Sequence, residues 1–140
     1  MTDIKGQRVW VVSHCEVFLQ PGRSAVDEVV TYVASSKASA LRLIRATRVD
    51  PGTWWRLEPA RVDEIDIRGC ASELYSREGR RLKTAPVEKG YRAAIPRYRK
   101  NLASVRRRLA EFSREGRPKR DLDILRGALK SIQSCLMGHS

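Results

Sequence analysis

The sequence is poor in the residues on which most metal sites and nucleophilic enzymes depend. It holds only three cysteines and two histidines among 140 residues. The cysteines Cys15, Cys70 and Cys135 are odd in number and widely spaced, so they form no CxxC pair and no zinc-type ligand spacing. We interpret them as reduced thiols, which indicates a cytoplasmic protein. We predict no metal and no cofactor.

Long hydrophobic runs are also missing from the N-terminal part of the chain. Its longest apolar run covers residues 9–12, which is far too short to cross a bilayer. Residues 1–8 include Asp3 and have no apolar segment of the kind found in export signals. We therefore expect neither export nor membrane insertion.

The motifs of the common catalytic classes do not occur. The sequence contains no GxxxxGK[ST], GxGxxG, HExxH or GxSxG pattern, which disfavours nucleotide-dependent and zinc-dependent enzymes. His14 and Cys15 are adjacent, and in a strand they would point to opposite faces, so they cannot act as base and nucleophile. The carboxylates within residues 63–66 have no histidine nearby. We predict no catalytic residue and a protein that is not an enzyme.

Positive charge is abundant and unevenly distributed. The formal net charge is +12. Residues 1–70 hold ten basic and nine acidic side chains, a net charge of +1, whereas residues 71–140 hold eighteen and seven, a net charge of +11. This division predicts that one half builds a core and the other half meets an anionic partner.

The first half is typical of a small sheet with one helix. β-branched and aromatic runs alternate with turn residues, and Ser35-Ser36 offers an N-cap before the single helical pattern. Trp54 and Trp55 must face opposite sides of their strand, so we expect one of them outside the main core, either covered by another segment or serving as a surface anchor. We predict strands at 7–13, 28–34, 54–58, 65–67, 73–76 and 81–84, and a helix at 37–47. The first strand could continue through Val17 and Phe18.

The second half is predicted to be a helical hairpin. Apolar residues recur at heptad-like intervals in two stretches, and Gly116-Arg117-Pro118 separates them. Pro96 suits the first turn of a helix, so we expect the first long helix to begin there. Residues 87–94 could form a separate short helix before it, although Gly90 disfavours one. The fold class is therefore α+β: an antiparallel or mixed sheet with one covering helix, followed by an antiparallel helical hairpin. We predict an α+β domain at residues 1–85 and a basic hairpin at residues 86–140.

Arginine dominates the basic side chains of this hairpin, and several lie seven residues apart, away from the apolar seam. Such a stripe matches the regularly spaced charge of a phosphate backbone. One guanidinium group can bind two phosphate oxygens at once. We therefore predict a non-catalytic protein that binds nucleic acid, RNA or DNA, or a ribonucleoprotein. The predicted contact residues are Arg80, Arg81, Lys83, Arg99, Lys100, Arg106, Arg107, Arg114, Arg117, Lys119 and Arg120.

Two other functions fit the same pattern. The hairpin could act as a protein–protein adaptor, binding an acidic protein or forming a homo- or hetero-oligomer through residues 96–137. A small metal-independent ribonuclease is the third alternative, because Arg, Lys and Tyr can act around a scissile phosphate.

Overall fold

A computed structural model describes residues 7–61 and 72–139. The chain begins with a long hairpin of two strands, β1 (Arg8–Gln20) and β2 (Arg23–Ala34). Gly22 makes the tight turn between them at a positive φ of 70°, which glycine adopts without steric cost. Both strands extend beyond their predicted limits, toward the turn that the sequence predicts at Pro21-Gly22.

A short helix and three strands follow the hairpin. Helix α1 (Lys37–Ala46) starts at Ser36, whose side chain accepts a hydrogen bond from the Ser39 backbone N–H, so the predicted N-cap is confirmed. The strands are β3 (Trp54–Arg61), β4 (Glu73–Ser76) and β5 (Arg81–Leu82). The five strands form one antiparallel sheet in the order β2-β1-β3-β4-β5. The strand predicted at 65–67 lies outside the described residues.

Two long helices complete the chain, α2 (Val87–Arg114) and α3 (Lys119–Leu136), packed as a hairpin. The predicted fold class is thus confirmed, but the predicted start of the first helix at Pro96 is wrong, because Pro96 lies inside α2. Apolar side chains on both sides of Pro96 share one face of the helix, and Ala94 and Ile95 are 0% and 8% exposed. Their burial offsets the backbone hydrogen bond that proline removes.

The hairpin turn is closed by backbone hydrogen bonds. Arg117 N–H bonds to the Phe112 carbonyl at 3.1 Å and Gly116 N–H to the Ser113 carbonyl at 3.3 Å, which is the Schellman pattern. Gly116 has a φ of 67°, in the left-handed region. The predicted Gly-Arg-Pro break between the two helices is therefore confirmed, with glycine in the position that needs it.

The described residues divide into two compact units. The sheet unit comprises Met1–Glu16 and Val26–Gly90, and the helical unit comprises Val17–Ala25 and Tyr91–Ser140. The core of the sheet unit contains Val12, Ile44, Trp55, Leu57 and Tyr75.

The two adjacent tryptophans are both buried. Trp54 is 1% exposed and Trp55 is 0% exposed, so neither is a surface anchor. Because neighbouring strand residues face opposite sides, the sheet is covered at this point on both faces.

The helical unit is held together by a second core and by polar contacts with residues near the turn between β1 and β2. Leu19 packs with Ala94 and Ile95, and the Leu19 backbone N–H donates to the Tyr98 hydroxyl at 3.2 Å. His139 Nδ1 and the Tyr91 hydroxyl are 2.7 Å apart, and His139 Nε2 lies 2.7 Å from the Gln20 carbonyl. These contacts fix the N-terminal part of α2 and the C-terminal end of α3 relative to residues 17–25. No helix in the described part of the chain is long and apolar enough to cross a membrane.

Candidate functional site

The excess positive charge lies in the helical unit. This unit contains fourteen basic and four acidic residues, a formal net charge of +10, whereas the sheet unit contains fourteen and twelve, a net charge of +2. The division by three-dimensional unit is therefore about as uneven as the division at residue 70. An anionic partner would be attracted mainly to the helical unit.

Five exposed cations of α2 form what we call the basic face. At 100° per residue, they fall within about a third of the helix circumference, opposite the apolar seam that contains Tyr98, Leu102 and Leu109. They make two rows with seven-residue spacing, and successive members of a row are roughly 10 Å apart along the helix axis. The basic face consists of Arg99, Lys100, Arg106, Arg107 and Arg114, all of them exposed.

The charges of the basic face are not neutralised within the described residues. In the described part of the helical unit, Arg117 pairs with Glu115 at 2.8 Å and Arg126 pairs with Asp123 at 3.2 Å, and neither pair involves the basic face. The basic face therefore presents five positive charges to solvent, and their mutual repulsion opposes folding rather than favouring it.

The hairpin turn adds three more of the predicted contact residues. The Arg117 guanidinium lies over the Phe112 ring at 4.5 Å from its centroid, which holds the side chain against the end of α2. The N-cap residue of α3, Pro118, supplies no side-chain hydrogen bond, and Lys119 and Arg120 lie in the first turn. Cations at a helix N-terminus oppose the helix dipole, each by about 0.3–1 kcal/mol.

The other three predicted contact residues lie in the sheet unit. Arg80 is in the turn between β4 and β5, Arg81 is in β5, and Lys83 follows it. All three are exposed. Arg81 differs from the basic face because its guanidinium lies 2.8 Å from the Glu73 carboxylate, which it shares with Lys37, so its charge is partly balanced.

Glu73 is the centre of a polar cluster. Its carboxylate accepts hydrogen bonds from Lys37 at 2.9 Å and from the Tyr75 hydroxyl at 2.8 Å, in addition to the contact with Arg81. Burial alone would raise the pKa of Glu73, but the bonds from Lys37, Tyr75 and Arg81 outweigh it and lower the pKa from 4.5 to about 2. We infer that this cluster joins the start of α1 to β4 and β5 and serves stability.

The thiol of Cys15 is buried in the sheet. Burial, together with the nearby carboxylate of Glu28, raises the pKa of Cys15 to about 11. The thiol is thus protonated at neutral pH and is a weak nucleophile. Its neighbour His14 lies on the other side of the strand, with its ring 5.1 Å from that of Trp55.

The tyrosines near the basic residues are buried or make contacts within the protein. Tyr75 is 6% exposed, Tyr98 packs in the core of the helical unit, and Tyr91 contacts His139. Stacking of unpaired bases requires exposed aromatic faces. The arrangement therefore favours contact with a phosphate backbone over contact with bases.

One exposed cation beyond the predicted set continues the first row. Arg92 is seven residues before Arg99 and lies within the same helix. The expectation that α2 begins at Pro96 excluded Arg92. The seven-residue interval between Arg92, Arg99 and Arg106 was the feature that could have revealed it.

Comparison of this chain with protein-family models, with curated proteins and with solved structures finds no match.

Proposed function

We propose that the helical unit binds the phosphate backbone of nucleic acid through the basic face of α2, without catalysis and without base readout. The observation that carries this proposal is the group of five exposed, similarly oriented cations that form no ion pair within the described residues. Salt-bridged surface charges need no partner, whereas unneutralised ones gain most from an anion.

The composition and spacing of the basic face suit the phosphate backbone of nucleic acid. Four of the five cations are arginine, whose planar fork binds two phosphate oxygens at once, as it also binds a carboxylate. The two rows repeat at a constant interval along α2, which matches a partner with regularly repeated charge. An acidic protein offers the same match only where its carboxylates also recur at helical spacing.

The proposal makes the affinity depend on salt in a defined way. Each phosphate neutralised contributes about −0.9 to the slope of log K against log salt concentration for duplex DNA, and about −0.7 for single strands. Five contacts from the basic face therefore predict slopes of about −4.5 and about −3.5. Cations of the hairpin turn would steepen both values.

Fluorescence anisotropy with labelled mixed-sequence RNA and DNA at several KCl concentrations measures these slopes. The variant Arg99→Gln/Arg106→Gln removes two cations of one row and is expected to reduce the duplex slope by about 1.8. The matched control is Arg77→Gln/Arg126→Gln, because both of these arginines are already ion-paired, to Glu78 and Asp123.

The two double variants have the same net charge, so they separate a defined surface from total charge. We expect the control to keep the wild-type slope. Equal weakening by both variants would contradict the basic face as the contact surface. Tighter binding to polyglutamate than to nucleic acid would favour an acidic protein partner, and cleavage of the labelled RNA during the assay would contradict a role without catalysis.

A further inference from the structure

The outer edge of β2 is a place where another strand can add to the sheet. β2 is the first strand in the order β2-β1-β3-β4-β5, and over the described residues its outer side pairs with no strand. Four of its valines are exposed, Val26 by 45%, Val29 by 55%, Val30 by 59% and Val33 by 61%. A long edge strand with exposed β-branched residues readily takes up a further strand.

The spacing of these valines is symmetrical. Val26 and Val33 lie equally far from the midpoint between Val29 and Val30. If two copies of β2 pair antiparallel about this midpoint, Val29 lies opposite Val30 and Val26 lies opposite Val33 on both sides of the two-fold axis. All four exposed valines of each copy then meet a valine.

The charged residues of β2 also fit this register. Asp27 comes to lie opposite Tyr32, and Glu28 comes to lie opposite Thr31, so each carboxylate faces a hydroxyl-bearing side chain. A shift of the pairing register by three residues, toward the turn between β1 and β2, would instead place Glu28 opposite Glu28 of the other copy. Like charges directly opposite each other destabilise a strand pair.

The faces of the strand are compatible with the same register. Glu28 lies 3.2 Å from Arg56, whereas the ring of Tyr32 stacks on that of Trp55 at 6.4 Å between centroids. Trp55 and Arg56 are neighbours in β3 and face opposite sides of the sheet, so Glu28 and Tyr32 do so as well. The alternation of β2 therefore reverses once between them, as it does at a β-bulge.

This reversal decides whether the outer valines can meet. In a regular strand Val26 and Val33, seven residues apart, would face opposite sides. With the reversal, Val26 lies on the side of Glu28, and Val33, next to Tyr32, lies on that side too. Two antiparallel strands related by a two-fold axis need opposed residues on the same face. The pair Val26–Val33 meets this condition. The central pair Val29–Val30 meets it only with the reversal between these two residues, so the proposed register places the reversal there.

We propose that a second copy of this chain docks on β2, antiparallel and centred between Val29 and Val30, to give a continuous ten-stranded sheet. This inference does not depend on the proposed nucleic-acid binding. A single strand pair buries less surface than most stable interfaces, so the dimer is weak, with a dissociation constant on the order of 10–100 µM.

Sedimentation equilibrium of the full chain over a wide concentration range tests the dimer. Val29→Lys places a lysine at the centre of the pair and is expected to weaken dimerisation at least about tenfold. Ile124→Lys in α3 is the matched control, because Ile124 is 64% exposed and does not belong to β2. Circular dichroism verifies that both variants are folded.

Cross-linking tests the register. We expect a mixture of the variants Val26→Cys and Val33→Cys to give a disulfide-linked dimer on mild oxidation, in a yield that neither variant gives alone. Equal yields from the separate variants would contradict the register. A monomer at every concentration, or a dimer that Ile124→Lys weakens as much as Val29→Lys, would overturn the proposal.

Discussion

Replacement of Glu73 by Gln tests how much the polar cluster in the sheet unit contributes to stability. The substitution keeps the shape of the side chain but removes the charge that binds Lys37 and Arg81 at 2.9 and 2.8 Å. A shift of the Glu73 pKa from 4.5 to about 2 corresponds to at most about 3 kcal/mol of stability at neutral pH. Because the side chain is 22% exposed and its partners are more exposed still, solvent screening reduces this to about 1–2 kcal/mol.

The stability difference between wild type and Glu73→Gln should depend on pH, in the direction set by the lowered pKa of Glu73. A carboxyl group whose pKa is lower in the folded state stabilises the fold above the unfolded pKa, and this contribution is lost as the pH falls through the folded pKa. The difference in unfolding free energy between wild type and Glu73→Gln should therefore be full at pH 7 and should decrease from about pH 4.5 toward pH 2.

Urea unfolding at pH 7, 5 and 3 measures this difference directly. The control is Glu78→Gln, since Glu78 is 62% exposed and bonds only to Arg77 among the basic side chains of the described chain. Hydrogen bonds from its own backbone, Ser76 and Arg77 also lower the pKa of Glu78, so we expect the control to lose stability in the same direction. We expect the loss to be much smaller, because Glu78 is far more exposed than Glu73. A loss for Glu73→Gln that is as large at pH 3 as at pH 7 would refute the charge-based explanation and indicate a loss of packing instead.

Two further predictions concern the helical unit. Tyr98→Phe removes the hydroxyl that accepts the Leu19 backbone N–H, and we expect a loss of about 1–2 kcal/mol in urea unfolding at unchanged nucleic-acid affinity; a neutral result would show that water replaces the hydroxyl. Lys119→Glu/Arg120→Glu replaces cations in the first turn of α3 by anions, so the urea midpoint should rise while anisotropy reports about tenfold weaker binding. A fall of both quantities would contradict the separation of stability from binding in that turn.

Local chemistry was enough to predict several parts of the fold. The start of α1 at Ser36 follows from a hydroxyl before a helical pattern, and the break at Gly116 follows from glycine before a proline. These features depend on residues close together in the sequence. The position of β2 was harder, because residues 23–27 of an exposed edge strand carry no alternation of apolar and polar side chains.

Contacts between distant residues could not be predicted. Glu73 is 36 residues from Lys37, and His139 is 119 residues from Gln20, so no local pattern connects either pair. The predicted helix start at Pro96 was wrong for a related reason. The cost of a proline inside a helix is outweighed only by packing that the complete unit provides. The rows of arginines on α2 were visible because helical periodicity alone determines them.

The placement of ion pairs distinguishes charge that supports the fold from charge that does not. Within the described residues, Lys37, Arg56 and Arg81 of the sheet unit each bind a carboxylate, and we expect removal of either member to cost stability. No carboxylate in the described part of the chain forms an ion pair with the basic face of α2, whose mutual repulsion is largest when the helix is formed. A surface that opposes its own folding gains most from a ligand that binds only the folded state. Nucleic acids should therefore raise the urea midpoint of the wild type more than that of Arg99→Gln/Arg106→Gln. An equal rise in both would show that the anion does not bind at the basic face.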